Sequence, residues 1–252
     1  MNLESLLPIA IQAAEKACIE ILEVYNSGDF QAEVKGDNSP LTIADKRAHH
    51  CIADVLESIG LPVLSEEGKA IPYSERKDWE YFWMVDPLDG TKEFLKRNGE
   101  FTVNIALIYK NRPVLGVVAV PVTGEVFYGA EDLGAFLKHN GNTVKLHGQP
   151  ADLTASGLRV VASRSHMNAE TEQFINGLNE PHLVSSGSSL KFMLLVNGKA
   201  DVYPRYAPTM EWDTAAAHAV VSAAGLGVYQ INSKEEVGYN KENLLNPYFL
   251  CV

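Results

Sequence analysis

Two aspartates separated by a Pro-Leu pair form the segment most suggestive of chemistry. Asp86 and Asp89 directly follow an apolar run, and Gly90 and Thr91 come next. A turn that brings two carboxylates together contributes little to folding. Carboxylate oxygens are, however, the ligands that Mg²⁺ takes together with water and substrate phosphate. The segment therefore predicts a magnesium site.

Two further acids extend this candidate cluster. Glu66 follows an apolar segment 20 residues before Asp86, and Asp213 begins an alanine-rich stretch. Taken singly, Asp213 is explained by helix capping and Glu66 by a solvated loop. Four crowded carboxylates would repel one another, and two cations about 3.5–4 Å apart would remove that repulsion and clamp both oxygens of a phosphoryl transfer. The acids together indicate a metal-dependent phosphatase.

The Gly90-Thr91 pair is predicted to open a short helical turn directly after the acids. Its backbone N–H groups would hold a phosphate oxygen. The Thr91 hydroxyl would orient a water molecule, with a remote acid as its partner.

Composition narrows the function classes. The chain has 252 residues, 46% of them apolar, which is enough for a sizeable core in one large or two small domains. A net charge of −11 disfavours binding to nucleic-acid polymers, but bound cations would still admit a small phosphorylated ligand. Three scattered cysteines, and the lack of a basic leader or long apolar run, predict a cytoplasmic protein without disulfide or zinc frameworks.

Periodicity predicts a layered α/β protein (α+β layers) with an antiparallel component in its first half. The predicted helices are 3–25, 43–59 (with Thr42 as cap and Gly60 past its end), 168–177, 190–197 and 213–224. The predicted strands are 61–65, 81–85, the meander 101–109, 114–121 and 125–129, and then 158–163, 182–185, 200–203 and 249–252. A loose boundary near 150–157 divides the chain into 1–153, an α+β metal-binding half with the antiparallel sheet, and 154–252, an α/β half that carries the last acid.

Three motifs resemble the inositol monophosphatase superfamily of Mg²⁺-dependent, lithium-sensitive phosphatases. They are the Asp-Pro-Leu-Asp-Gly-Thr segment, the Glu-Glu pair at Glu66 and Glu67, and the Trp-Asp-x-Ala-Ala segment around Asp213, and the similarity runs over roughly 5–230. This resemblance implies the sugar-phosphatase fold shared with fructose-1,6-bisphosphatase, with alternating α and β layers, and two or three Mg²⁺ ions per site. The sequence departs from the pattern at Ala217, where many members have glycine, and at 224–226. We expect tighter helix packing there rather than lost catalysis.

The resemblance assigns roles by position. The implied metal ligands are Glu66, Asp86, Asp89, Asp213 and the carbonyl of Leu88. The implied catalytic residues are Asp45, Thr91 and Glu66, and Asp45 and Thr91 would activate the water. Glu67 would contact the metal ligands rather than the metal itself.

Within the superfamily, local segments are similar to the 3′(2′),5′-bisphosphate nucleotidases. These are the segments 90–94 and 187–192, with Arg205 fourteen residues after Lys191. That branch pairs such a lysine and arginine on the phosphate that does not react. Inositol phosphatases commonly have glutamate where Arg205 stands, and arginine favours an anion because it binds phosphate in bidentate fashion. The implied substrate-binding residues are Gly90, Thr91, Ser188, Lys191, Arg205, Asp213 and Glu66, with His166 a weaker candidate for contacting the nucleoside.

The resemblance implies hydrolysis of adenosine 3′,5′-bisphosphate to AMP and phosphate, in connection with sulfur assimilation. A second candidate substrate is 3′-phosphoadenylyl sulfate. Two alternatives stay open: an inositol or sugar-bisphosphate phosphatase of the same fold, and an inactive metal- or phosphate-binding protein. The implied partner is a small phosphorylated nucleotide. Members of the superfamily differ in oligomeric state, and a monomer is preferred here. The acidic first helix gives no support to peripheral association with the inner membrane.

Overall fold

The computed structural model describes residues 1–34, 36, 40–162 and 167–252. The predicted strand end at Ser163 and the candidate ligand His166 lie outside the described residues. The helices are α1 Leu3–Ser27, α2 Ile43–Leu56, α3 Tyr73–Arg76, α4 Thr91–Leu95, α5 Ala169–Asn176, α6 Leu190–Val196 and α7 Glu211–Ala223, with a 3₁₀ turn at Glu57–Ile59. The strands are β1 Glu33–Val34, β2 Pro40–Leu41, β3 Val63–Ser65, β4 Tyr81–Asp89, β5 Thr102–Tyr109, β6 Arg112–Val120, β7 Glu125–Ala130, β8 Gly134–His139, β9 Asn142–Leu146, β10 Arg159–Ala162, β11 His182–Ser185, β12 Tyr203–Arg205, β13 Val228–Gln230 and β14 Phe249–Cys251.

A seven-stranded sheet, in the order β3 to β9, organises the molecule. Strands β3 and β4 are parallel, and every later neighbour is antiparallel. Side chains alternate between the two faces of a strand, and on β4 both faces are apolar. Trp83 and Val85 pack under α1 and α2, whereas Phe82 and Met84 pack under α7. The predicted layered class and the antiparallel meander are confirmed.

The sheet extends further than predicted. Neither β8 nor β9 was among the predicted strands; β8 pairs with β7, and Asn142–Leu146 pairs with β8 as the edge strand β9. Four of its five residues are exposed. Its first residues follow the turn residues Asn140 and Gly141, so in the sequence the segment begins like a loop. Strand β13 was missed, and β12 lies at Tyr203–Arg205 rather than at 200–203.

The expected Pro-Leu turn is wrong. Strand β4 continues through Pro87 to Asp89, and its register against β5 shifts between Asp86 and Asp89. A bulge of this kind re-aims side chains and tolerates proline because a ladder hydrogen bond is already interrupted. The two aspartates are thus separated by an irregular piece of strand.

The helices follow their sequence signals closely. Gly28 ends α1 in the left-handed region, and the Thr42 hydroxyl accepts a hydrogen bond from the Ala44 N–H at the start of α2. Gly60 closes the following 3₁₀ turn. Within the part of the chain that the structure describes, none of the helices is both long and apolar enough to cross a membrane. The hydrophobic core beneath α7 includes side chains from both sides of residue 153, and the proposed division at that point stays a prediction.

Candidate active site

Three of the four predicted acids meet at one edge of the sheet. One carboxylate oxygen from each of Glu66, Asp86 and Asp213 lies within 4.8 Å of the others. Because β3 and β4 are parallel, Ser65 pairs with Val85, and the Glu66 N–H donates to the Val85 carbonyl at 3.0 Å. This register places Glu66, just past the end of β3, beside Asp86, where the pairing of β4 with β5 becomes irregular.

Asp213 reaches the cluster from the first turn of α7. Its Oδ2 accepts a hydrogen bond from the Met210 N–H at 2.9 Å. The capping explanation considered from the sequence is therefore observed, and it coexists with a place in the acidic group. One residue holds the helix start and presents its carboxylate to Glu66 and Asp86.

The fourth acid, Asp89, lies outside that tight group among the described residues. Its Oδ2 accepts two hydrogen bonds from Ser189, one from the backbone N–H at 2.7 Å and one from the hydroxyl at 2.8 Å. It is still near enough to act electrostatically on Asp86 and Asp213.

The electrostatics of the cluster favour a cation. Burial, followed by the charges of Glu66, Asp89 and Asp213, raises the pKa of Asp86 well above its ordinary value. Burial and the charge of Asp89 raise the pKa of Asp213 to about 8, although Arg205 opposes this rise. Buried carboxylates that resist ionisation together are relieved by a divalent cation. The oxygen-only donor set therefore fits Mg²⁺.

Thr91 and Asp45 are joined beside the cluster. The Thr91 hydroxyl donates to Asp45 Oδ1 at 3.1 Å and lies 3.3 Å from the Leu88 carbonyl oxygen. Asp45 is buried, and its Oδ2 accepts the Thr42 N–H at 2.7 Å. Asp45 thus completes the first turn of α2 while holding the Thr91 hydroxyl by its other oxygen.

Gly90 permits the sharp change of direction between β4 and α4. Its φ of 95° lies in the left-handed region, and a Cβ there would stand 3.0 Å from the Glu100 carbonyl oxygen. A side chain at this position would be strained and crowded. The predicted helical turn does follow, at Thr91–Leu95.

A cavity of about 390 Å³ connects the acids to two basic side chains. Its lining includes two of the acids, Asp89 and Asp213, the two basic residues, Lys191 and Arg205, and also Ser188. Three charged residues that the sequence did not single out also line it: Glu93, Lys96 and Glu100.

Both basic side chains are held in place. Lys191 is only 8% exposed, and its Nζ donates to the Ser188 carbonyl at 3.1 Å. Arg205 donates from Nε to the Ala207 carbonyl and from Nη2 to the Pro208 carbonyl, each at 3.2 Å. Two of the five guanidinium N–H groups are used in this way, so the plane of the group is oriented before any ligand arrives.

Two buried polar residues, Ser189 and Asn104, belong to the site although they were not among the predicted site residues. Asn104 Nδ2 donates to Ser189 Oγ at 2.8 Å. The serine does lie within the Gly-Ser-Ser segment that carried part of the resemblance. Asn104, a buried amide in a mostly apolar strand, was the signal that could have drawn attention to β5.

Comparison with known proteins identifies the family of this chain. The model of the inositol monophosphatase family matches residues 2–248. The chain belongs to the inositol monophosphatase family.

Named relatives lie within this family. The chain is 46% identical over 241 residues to the 3′(2′),5′-bisphosphate nucleotidase CysQ of Escherichia coli strain K12, covering 94% of this chain and 96% of that protein. The crystal structure of CysQ from Bacteroides thetaiotaomicron, a bacterial member of the family, is similar with a TM-score of 0.85 and 48% identity, covering 98% of this chain and 96% of that one. An IMPase/NADP phosphatase complexed with Mg²⁺ and phosphate shares the fold at 19% identity and a TM-score of 0.74, covering 92% of this chain and 85% of that one.

Proposed function

We propose that this protein is a Mg²⁺-dependent 3′(2′),5′-bisphosphate nucleotidase that hydrolyses the 3′-phosphate of adenosine 3′,5′-bisphosphate. The products are AMP and inorganic phosphate, which connects the enzyme with sulfur metabolism. One observation carries the proposal: a single cavity is lined by Asp213, a member of the acidic cluster, by the neighbouring Asp89, and by the two cations Lys191 and Arg205. A substrate with two phosphates satisfies both the acidic and the basic groups. The relatives named CysQ support the same substrate class.

The acidic residues Glu66, Asp86, Asp89 and Asp213, with the Leu88 carbonyl, would hold two or three Mg²⁺ ions. When bound, Mg²⁺ neutralises these carboxylates and stabilises charge on the phosphoryl oxygens during in-line displacement. The reaction forms one bond between water oxygen and phosphorus. It breaks the bond between phosphorus and the 3′ oxygen of the ribose.

Thr91 and Asp45 are placed to handle the proton of the attacking water. The Thr91 hydroxyl proton is directed to Asp45 Oδ1, which leaves the threonine oxygen free to accept a hydrogen bond from water. As the water attacks, its proton passes to Thr91 Oγ1 while the threonine proton moves towards the Asp45 carboxylate. No covalent phosphoenzyme is required.

Lys191 and Arg205 would bind the phosphate that does not react. Both are oriented before binding, so they fix the position of the ribose relative to the acids with little loss of side-chain entropy. Positioning supplies a large share of catalysis in phosphoryl transfer because the protein does little covalent chemistry.

The test measures phosphate release from adenosine 3′,5′-bisphosphate and inositol 1-phosphate, with Mg²⁺, for the wild type and Arg205→Glu. A charge-assisted hydrogen bond contributes about 1.5–3 kcal/mol, so kcat/KM for the bisphosphate should fall roughly 10- to 150-fold. The inositol substrate should be affected much less. Lys199→Glu changes the net charge equally at an exposed position and is the matched control.

The possible outcomes separate the candidates. A wild-type preference for inositol 1-phosphate, or equal losses on both substrates in Arg205→Glu, would contradict the nucleotide assignment. Activity on neither substrate, but on a sugar bisphosphate, would favour the alternative phosphatase, since the same two cations can bind its second phosphate.

A further inference from the structure

Ser189 lies between the elements that deliver two of the proposed metal ligands. It is 1% exposed, and both its N–H and its hydroxyl contact Asp89 Oδ2, at 2.7 and 2.8 Å. The same hydroxyl is 3.0 Å from the backbone carbonyl oxygen of Asp213. One buried side chain therefore touches the end of β4 and the start of α7.

Asn104 orients this hydroxyl. Its side-chain amide donates to Ser189 Oγ at 2.8 Å, and Asn104 is itself 1% exposed. An amide donor occupies a lone pair of the hydroxyl oxygen, so the serine proton is left to point at an acceptor. The acceptors within reach are Asp89 Oδ2 and the Asp213 carbonyl.

The backbone before Ser189 is specially shaped to make this contact. Ser188 has φ of 42°, which is unusual for a residue with a side chain, and its hydroxyl lies 3.2 Å from the Thr102 hydroxyl. At Gly187 a Cβ would stand 2.8 Å from the Glu100 carbonyl oxygen. The loop therefore passes closely over Glu100, just before the start of β5, and turns the Ser189 N–H towards Asp89.

We propose that Ser189, oriented by Asn104, is a positioning residue that holds the Asp89 carboxylate in the direction of the metal site and thereby sets the affinity for Mg²⁺. The proposal rests on the proposed function in that it takes Asp89 to be a metal ligand. An unrestrained Asp89 has several rotamers, and two donors on one oxygen select one of them and leave the other oxygen to face the cavity. Ser189 also precedes Lys191 by two residues, so the support of a metal ligand and the clamp for the distal phosphate belong to one short segment.

The test is a Mg²⁺ titration of metal-free Ser189→Ala by calorimetry, with no substrate present. Mutation of a residue that hydrogen-bonds to a metal ligand typically lowers metal affinity 10- to 100-fold. Because the Ser189 N–H remains, we expect Mg²⁺ binding to weaken on the order of tenfold. Phosphate release should fall at low Mg²⁺ and recover as Mg²⁺ is raised. Ser222→Ala, at an exposed position on α7, is the matched control and should bind Mg²⁺ like the wild type.

An unchanged Mg²⁺ affinity in Ser189→Ala, or a loss of activity that excess Mg²⁺ does not restore, would overturn the proposal. Asn104→Ala provides a second variant if Ser189→Ala does not fold. Asn104→Ala should also weaken Mg²⁺ binding. Where Ser189→Ala does fold, adding Asn104→Ala to it should produce little further change in Mg²⁺ affinity. Because binding is measured without a nucleotide, failure of the enzyme to hydrolyse adenosine 3′,5′-bisphosphate would refute the substrate assignment alone.

Discussion

Replacing Asp213 by asparagine separates the two roles that the structure gives this residue. Asparagine keeps the shape of the side chain and an oxygen that can accept the Met210 N–H, so the start of α7 should persist. The substitution removes the negative charge from the group with Glu66 and Asp86. We therefore expect Asp213→Asn to lose turnover while its metal-free form becomes more stable.

The magnitude follows from the electrostatics. Burial and the charge of Asp89 raise the pKa of Asp213 from 3.8 to about 8. A raised carboxyl pKa lowers stability as pH rises from about 4 to 8, because the folded state holds a proton that the unfolded state releases. At pH 7 this penalty is at most about 4 kcal/mol, since one pKa unit corresponds to about 1.36 kcal/mol. Removing it should raise the free energy of unfolding by about 2–4 kcal/mol, or the Tm by roughly 4–16 °C for a chain of this size.

The assay is thermal and urea unfolding of the wild type and Asp213→Asn, in EDTA and in Mg²⁺. Mg²⁺ at 100 times its dissociation constant stabilises the wild type by about 2.7 kcal/mol, and most of this gain should be absent in the variant. Asp54→Asn, which neutralises an exposed carboxylate on α2, is the control for net charge. If Asp213→Asn kept its turnover and its response to Mg²⁺, Asp213 would be only a helix cap and the reasoning would be refuted.

Three further predictions concern other parts of the molecule. Thr91→Val removes the hydroxyl that donates to Asp45, so kcat should fall at least about 100-fold in phosphate-release assays while Mg²⁺ still raises the Tm; a loss under tenfold would exclude the proton relay. Burial lowers the pKa of His218 to about 3, so the native state resists a proton that the unfolded state binds below about pH 6.5, and stability should decline by about 1.4 kcal/mol per pH unit as pH falls. His218→Gln should reduce that slope between pH 6 and 4.5 in urea unfolding, and an unchanged slope would show that other groups cause the acid sensitivity. Gly187→Ala would bring a Cβ to 2.8 Å from the Glu100 carbonyl oxygen, a backbone atom, so the loop must shift, the Tm should fall by several degrees and KM for the bisphosphate should rise several-fold; an unaltered KM would indicate that the loop yields without disturbing the site.

Local sequence was sufficient for most elements because their signals are local. The 3.6-residue spacing of apolar positions marks α1 and α2, and Thr42 and Gly60 mark where the second helical segment begins and ends. Strand β9 was missed because it is an exposed edge, where pairing with β8 stabilises the strand without demanding apolar residues. The bulge in β4 was mistaken for a turn because proline between two aspartates has the same composition in both settings.

The types of residue in the chain were enough to predict an acidic cluster suited to Mg²⁺ and a Thr91 hydroxyl with an acidic partner. The two cations for a second phosphate came from the resemblance to the nucleotidases. Only the tertiary structure decided how these groups are arranged. It places Asp213 both in a helix cap and in the acidic group. It also brings the Asp89 carboxylate within hydrogen-bond distance of Ser189, 100 residues away in the chain. Such contacts depend on strand register and on the path of a loop over the sheet edge. The spacing of residues along the chain determines helices, strands and turns, but it does not encode which distant side chain will stand within hydrogen-bond distance.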